Sequence, residues 1–438
     1  MTYPPIEQDT PNLPLHAGAP EAFRAGLHRE SVLGFIYEGR PFQTALGHPI
    51  SGEYLANVST GSGPISMPTT LLALENGNSA TRTMALHCTT HQATITQTGS
   101  TFEEQESNLI YTTGEGGEFW QVEQSNGQRS PVFRVGEYAD HRHDLPVGPT
   151  YERWSDPRFV NFNRACTVRT LRAAGYGPGT HAVCFCPGAR NEEVSVESGT
   201  DRRVTEAFRN GLVSFVLWRN GLERYAIRVV EVMAAIPQTF GSHWAFDTDL
   251  LGRSLHPDIP LWTWLDIGFF DAHDVTVRRV GHHVRVAGAK VTDGVSKVAR
   301  GMSTFLRQPD HFPMMAPLSL AEALEMLRKE EVKIGGVPLA TAQEASVGTQ
   351  LIRAYKDQEG GKLIRRLLSE HQNVEGIIAF TGGGVIDLTA QIREQTRNRP
   401  AHLTTLLPPE VARISNVVGI YLLMNLAKRS KSVLRQVV

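Results

Sequence analysis

Trp264-Leu265-Asp266-Ile267-Gly268-Phe269-Phe270 reads as an apolar strand that runs into an aspartate and a glycine. An aspartate at the C-terminal end of a strand can hold magnesium, usually through water, and glycine lets backbone N–H groups reach a phosphate. A second stretch follows the same logic: Ile377-Ile378-Ala379-Phe380 leads into Thr381-Gly382-Gly383-Gly384 and then directly into a helical pattern. Three successive glycines remove every Cβ from that turn and leave the helix N-terminus open to an anion or a ribose. Taken singly, a strand that ends in Asp-x-Gly is as readily a tight turn as a ligand loop.

Outward from these two stretches the pattern is α/β with a mixed sheet in each half. Residues 262–268 read as a buried strand, 275–280 and 284–286 continue its sheet, and 294–305 is helical. Residues 318–331 and 347–369 read as two further helices, and 386–396 and 409–426 as helices that follow the strand at 377–380. Upstream, 213–218 and 225–236 are two strands with Asn220-Gly221 between them, a strong hairpin signal. Residues 202–212 suit a helix, 181–186 a strand, and 159–174 a helix stopped by Gly175-Tyr176-Gly177-Pro178. From 31 to 138 the pattern is short β runs broken by glycine-rich turns, and residues 1–30 read as a proline-rich tail.

Composition narrows the classes. The 438 residues suit two domains, and 41% hydrophobic with 20% charged residues is ordinary for a globular chain. A net charge of −2 gives no electrostatic case for direct nucleic-acid binding. Four cysteines without zinc spacing fit a reducing cytoplasm. The start has no basic segment followed by an apolar one, so no signal peptide is expected. The longest apolar run, 417–427, falls short of the ~20 residues of a bilayer span, so no membrane is expected.

Leu265-Asp266-Ile267-Gly268, then Asp293-Gly294-Val295, then Phe380-Thr381-Gly382-Gly383-Gly384 occur in an order that resembles the actin, sugar kinase and heat-shock chaperone superfamily. They match its second phosphate loop, the helix after that loop and its adenosine-binding turn. Further stretches resemble its ParM and archaeal actin-like branch. These are Arg134-Val135-Gly136-Glu137-Tyr138-Ala139, Ala235-Ile236-Pro237-Gln238-Thr239-Phe240-Gly241 and Ser415-Asn416-Val417-Val418-Gly419. The resemblance spans roughly residues 134–426. It implies an actin-like two-domain fold with a central nucleotide cleft. Domain I would be 31–190, with 400–438 returning to it, and domain II would be 191–399.

Carried over by position, the resemblance implies that Asp266 holds Mg2+ through water and that Gly268 and Phe269 offer backbone to phosphate. Gly294 would allow close approach of the following helix, and Thr381, Gly382, Gly383 and Gly384 would line the adenosine of ATP or ADP. It further implies self-association into filaments and a role in plasmid segregation or another cytoskeletal task, with a DNA-binding adaptor as partner.

Two departures accompany these matches. The family's first phosphate loop, Asp-x-Gly-x-Gly followed by Thr-Lys, is expected near the N-terminus and is not found there. The first plausible strand, 32–39, has no aspartate at its end, and His16-Ala17-Gly18 has the spacing without the charge. In the second loop the family has Thr-Thr-Asp where this chain has Asp271-Ala272-His273, with Asp274 displaced by one. A threonine hydroxyl donates to a phosphate oxygen; an aspartate repels it unless a metal intervenes. Phosphoryl transfer relies on positioned charge and metal, so these changes weigh against ATP hydrolysis. They favour, as the alternative, a nucleotide-independent binding or scaffold protein on the same fold. A sugar or acetate kinase would need an acidic general base that the sequence does not place.

Other signals carry less. No Gly-x-x-x-x-Gly-Lys-Ser/Thr and no strand-linked Gly-x-Gly-x-x-Gly is present. Asp140-His141-Arg142-His143-Asp144 reads as a solvated loop before a metal site, and Cys184 and Cys186 as buried structural thiols. Lys428, Arg429, Lys431 and Arg435 form a basic end that complements a helix dipole or meets an acidic partner.

Overall fold

The computed structural model describes residues 27–429 apart from 45, 61–62, 78, 105–117, 137–144, 147–148, 196–198, 201, 281–282, 370 and 372–375. Most of the expected tail, the 140–144 cluster, Glu137-Tyr138-Ala139, Lys431 and Arg435 lie outside the described residues.

The segment read as a first strand is instead helix α1 (Val32–Tyr37). The Ser31 hydroxyl caps it by accepting the Gly34 N–H at 3.0 Å. A Cβ on Gly34 would come within 2.4 Å of the His28 carbonyl oxygen, so the entry turn packs only against glycine. Strands β1 (Glu53–Thr60), β2 (Gly63–Asn76), β3 (Ala80–Leu86) and β4 (Ala93–Gly99) then form an antiparallel meander. Three shorter strands follow, β5 (Phe102–Glu104), β6 (Trp120–Glu123) and β7 (Phe133–Val135).

After helices α2 (Thr150–Arg153) and α3 (Pro157–Ala173), strand β8 (Gly179–Ala189) lies parallel to β2. Helix α4 (Arg202–Gly211) leads to the hairpin β9 (Phe215–Arg219) and β10 (Glu223–Val232). Asn220 and Gly221 both take left-handed φ there, as the hairpin signal requires. Strand β10 runs parallel to β8, and β9 pairs with β6, giving the order β4-β3-β2-β8-β10-β9-β6-β7-β5 with β1 on β2. The sequence reading counts β9 and β10 with the second half, whereas they continue the first sheet. Leu217, Tyr225 and Ile227 share one buried cluster with Phe159, Phe162 and Val168 of α3. Strand β8 is buried on both sides. Val183 and Phe185 enter the α3 core, and Cys184 and Cys186 the opposite one.

The second half opens with helix α5 (Gln238–Asp247) and strands β11 (Leu261–Ile267), β12 (Asp271–Val280) and β13 (His283–Asp293). Helices α6 (Val295–Leu306), α7 (Leu320–Lys329), α8 (Ala342–Tyr355) and α9 (Gly361–Ser369) follow. Residues 347–369, read as one helix, carry a π turn at Lys356–Gly360 between α8 and α9. Strand β14 (Ile377–Thr381), helix α10 (Gly384–Thr396) and strand β15 (Thr404–Leu406) complete a sheet ordered β13-β12-β11-β14-β15, in which β11, β14 and β15 are parallel. Helix α11 (Pro409–Ala412) and helix α12 (Ser415–Arg429) end the described chain.

Helices α5 and α12 join the two halves, because each touches the other and α12 also packs on β2 and β8. Their crossing rests on two glycines. A Cβ on Gly419 would fall 1.8 Å from the Gly241 carbonyl oxygen, so the two backbones meet directly. Among the described residues no helix is long and apolar enough to cross a membrane.

Candidate functional site

Asp266 is the penultimate residue of β11, at the place where the two connecting helices begin. It is 7% exposed, and its Oδ2 accepts hydrogen bonds from Asn416 Nδ2 at 2.8 Å and Thr239 Oγ1 at 3.3 Å. Asn416 lies in the first turn of α12 and Thr239 in that of α5, so both helix starts are tied to one carboxylate. Asn191 fixes Thr239 in turn, donating to its hydroxyl at 2.7 Å and accepting its backbone N–H at 3.1 Å.

The hairpin after Asp266 is closed by Gly268 N–H donating to the Asp271 carbonyl at 2.8 Å. The carbonyl oxygens of Gly268, Phe269 and Phe270 accept the N–H groups of Val295, Ser296 and Gly294, the first donors of α6 and its cap. Gly294 permits this, since a Cβ there would lie 2.6 Å from the Gly268 carbonyl oxygen and 2.7 Å from the Asp271 nitrogen. The N–H groups of Phe269 and Phe270 have no partner among the described residues. They are the backbone donors this hairpin leaves available.

The three glycines after β14 have three different jobs. Gly382 sits at φ +91, and a Cβ on it would be 2.2 Å from Asp266 Oδ1. Gly384 lets the start of α10 press on Ile267 and Val295. Gly383 meets nothing within 4 Å and borders open space. The Thr381 side chain is fully buried, its hydroxyl donating to the Ala412 carbonyl at 3.0 Å and lying 2.7 Å from Ser415 Oγ. Asp266, Gly268, Phe269, Gly294, Thr381, Gly382, Gly383 and Gly384 therefore gather at the ends of β11 and β14.

A third turn, which the sequence reading misses, faces them from the first sheet. Between β2 and β3 the chain reads Glu75-Asn76-Gly77-Asn78-Ser79-Ala80-Thr81-Arg82. This is the acidic-x-Gly-x-small order followed by Thr and a base, with glutamate, serine and arginine in place of aspartate, glycine and lysine. Arg82 Nη1 lies 3.3 and 3.2 Å from the two Glu75 carboxylate oxygens, and Thr81 Oγ1 donates to Asn76 Oδ1 at 2.7 Å. Arg153 holds the turn from behind, donating at 3.0 Å to the carbonyls of both Asn76 and Gly77. Burial, with the Arg190 charge, brings the Arg153 guanidinium down to about 10. The signal that could have found this turn is the apolar stretch Leu71–Leu74 running straight into Glu75-Asn76-Gly77.

Glu75 and Asp266 form the charged heart of the site. Burial pushes the Glu75 carboxyl up, the Arg82 charge opposes this, and the nearby Asp266 charge pushes it up further. Glu75 and Asp266 are both buried carboxylates, and such groups suit a divalent cation. Mg2+ keeps several waters and takes one or two carboxylates, so this pair fits it. Among the described residues no group of three or more His, Cys, Asp or Glu could hold a metal by itself.

Four further charged side chains form a ring beside the hairpin. Arg190 Nη2 lies 3.4 Å from Asp271 Oδ2, and His273 Nε2 lies 3.5 Å from the same oxygen. Glu192 closes the ring, at 2.8 Å from Arg190 Nε and 3.5 Å from His273 Nδ1. Burial raises the Asp271 carboxyl, but His273 and Arg190 outweigh it and hold it below the usual range. Burial lowers His273, and the charges of Asp271, Asp266 and Glu192 outweigh that and hold it above. Cys166, Cys184 and Cys186 are buried and unbridged, while Cys88 is exposed.

No protein-family profile and no curated protein matches the sequence. Solved structures do resemble it. The actin-like protein Alp7A aligns with a TM-score of 0.60 at 12% identity, over 83% of this chain and 98% of that one. Ta0583, an archaeal actin homolog in complex with ADP, aligns at 0.56 and 15% identity over 82% and 99%. Bacillus thuringiensis ParM with ADP aligns at 0.56 and 12% over 83% and 99%. With two sheets joined through α5 and α12 and three strand-end turns facing one another, the chain has the actin-like two-domain fold.

Proposed function

We propose that the chain binds an adenine nucleotide between its two halves and assembles head to tail into filaments. The observation that carries this reading is the convergence of three strand-end turns on the Glu75–Asp266 pair. Glu75 to Arg82 stands as the first phosphate loop, Gly268 to Asp271 as the second, and Gly382 to Gly384 as the adenosine turn. Glu75 and Asp266 would hold Mg2+ through water, and Phe269 and Phe270 would offer backbone N–H groups to phosphate. The metal would supply charge neutralisation for those oxygens. Domain I, in this reading, extends to about residue 237 and takes back α12, and domain II lies between.

The wider role follows the solved neighbours, two of which carry ADP and one of which is named actin-like. It is a cytoplasmic cytoskeletal task such as plasmid segregation, with a DNA-binding adaptor linking filament to cargo. Contacts that repeat without closing into a ring generate such filaments. Light scattering with negative-stain microscopy, with ATP–Mg2+, with EDTA and without nucleotide, tests the reading. Filaments are expected, and their absence in every condition would reject self-assembly. The charged ring across the cleft favours a second reading, a scaffold that assembles without nucleotide. Filaments that require ATP–Mg2+ would refute that one.

A further inference from the structure

The ring of Arg190, Asp271, His273 and Glu192 bridges the two halves. Arg190 and Glu192 follow β8 of the first sheet, and Asp271 and His273 belong to β12 of the second. Building on the nucleotide reading above, we propose that the Asp271 carboxylate occupies the place of a nucleotide's terminal phosphate, so that the cleft selects nucleoside diphosphate over triphosphate.

Three observations carry this. One Asp271 oxygen lies between a guanidinium and an imidazole, the groups that otherwise take up a phosphate oxygen. By the resemblance in sequence, Asp271 falls where that family has a phosphate-donating threonine, and a carboxylate accepts where a hydroxyl would donate. Arg153, bound to the Asn76 and Gly77 carbonyls of the first turn, also feels the charges of Arg190 and Asp271, which sets the ring near that turn. Arg190 and His273 each already contact both Asp271 and Glu192. A terminal phosphate would meet a guanidinium and an imidazole already engaged by carboxylates, with a carboxylate at its side. A diphosphate has no group to place at that point and leaves the ring closed.

Calorimetric titration of the full chain with ADP–Mg2+ and ATP–Mg2+ tests this, using wild type, Asp271→Thr and Asp271→Asn. Wild type is expected to bind ADP at least about tenfold more tightly than ATP, and both variants to shift the ratio of ADP to ATP affinity about tenfold toward ATP. Circular dichroism and thermal unfolding report that each variant is folded, and the isosteric asparagine stands in should threonine disturb the hairpin. Equal affinity of wild type for the two nucleotides, or a preference unchanged in both variants, would overturn the proposal. Absence of binding by either nucleotide in all three proteins would overturn the cleft reading itself, a result distinct from tight binding without discrimination.

Discussion

The turns after β14 and after β2 border one site and are built by different means. After β14 the backbone is set by glycine: Gly382 takes φ +91 with Asp266 Oδ1 where its Cβ would be, and Gly384 packs on Ile267 and Val295. After β2 it is set by side chains, with Arg82 on Glu75, Thr81 on Asn76 and Arg153 on two carbonyls. A position that excludes a Cβ admits one residue type. An ion pair across two strands admits any acid and base of suitable reach, so its chemistry survives substitutions that erase its pattern.

Breaking the side-chain turn should cost most. Arg82→Met leaves Glu75 buried without its cation and is expected to lower unfolding free energy by roughly 3–5 kcal/mol in urea titration. A loss under about 1 kcal/mol would mean that the pair does not hold the turn. Gly382→Ala comes next. It adds backbone strain and an overlap with Asp266, about 3 kcal/mol together, read by the same unfolding curves.

The charged ring between the two turns gives a smaller, pH-dependent effect. His273 is held above its ordinary value in the folded state, so its contribution is complete below about pH 6.5 and fades as pH rises through the folded value. Asp271 is held below, so its contribution is complete above about pH 4 and fades as pH falls. The stability margin of wild type over His273→Gln should therefore shrink as pH is raised from about 6 to about 9. A margin that widens would contradict the ring. The smallest stability effect is expected at Gly383→Ala, within about 0.5 kcal/mol, because nothing lies within 4 Å of the new methyl group. Its nucleotide affinity should nonetheless fall, which separates a glycine kept for a ligand from one kept for the fold.

The same contrast explains what the sequence disclosed. Leu265-Asp266-Ile267-Gly268 and Thr381-Gly382-Gly383-Gly384 were legible because close contacts hold Gly268, Gly382 and Gly384 to glycine, and the two stretches lie at the ends of β11 and β14. Glu75 to Arg82 was not, since it carries neither aspartate, second glycine nor lysine and lies after a helix and an added strand, β1. Residues 32–39 misled because an apolar run of that length suits strand or buried helix alike, and only the Ser31 cap decides it. Strands β9 and β10 were recognised as a hairpin through Asn220-Gly221, but local signals do not say which sheet a hairpin joins; burial against α3 does. The ring was invisible for a similar reason, since Arg190 and Asp271 stand 81 residues apart.

The measurement closest to the central claim is calorimetric titration of ADP into wild-type protein and Asp266→Ala, with Mg2+ and with EDTA. Saturable binding by wild type in Mg2+, lost in EDTA and in the folded variant, is the predicted result. Equal affinity in the variant, or no binding by wild type, would contradict a nucleotide cleft built on the Glu75–Asp266 pair.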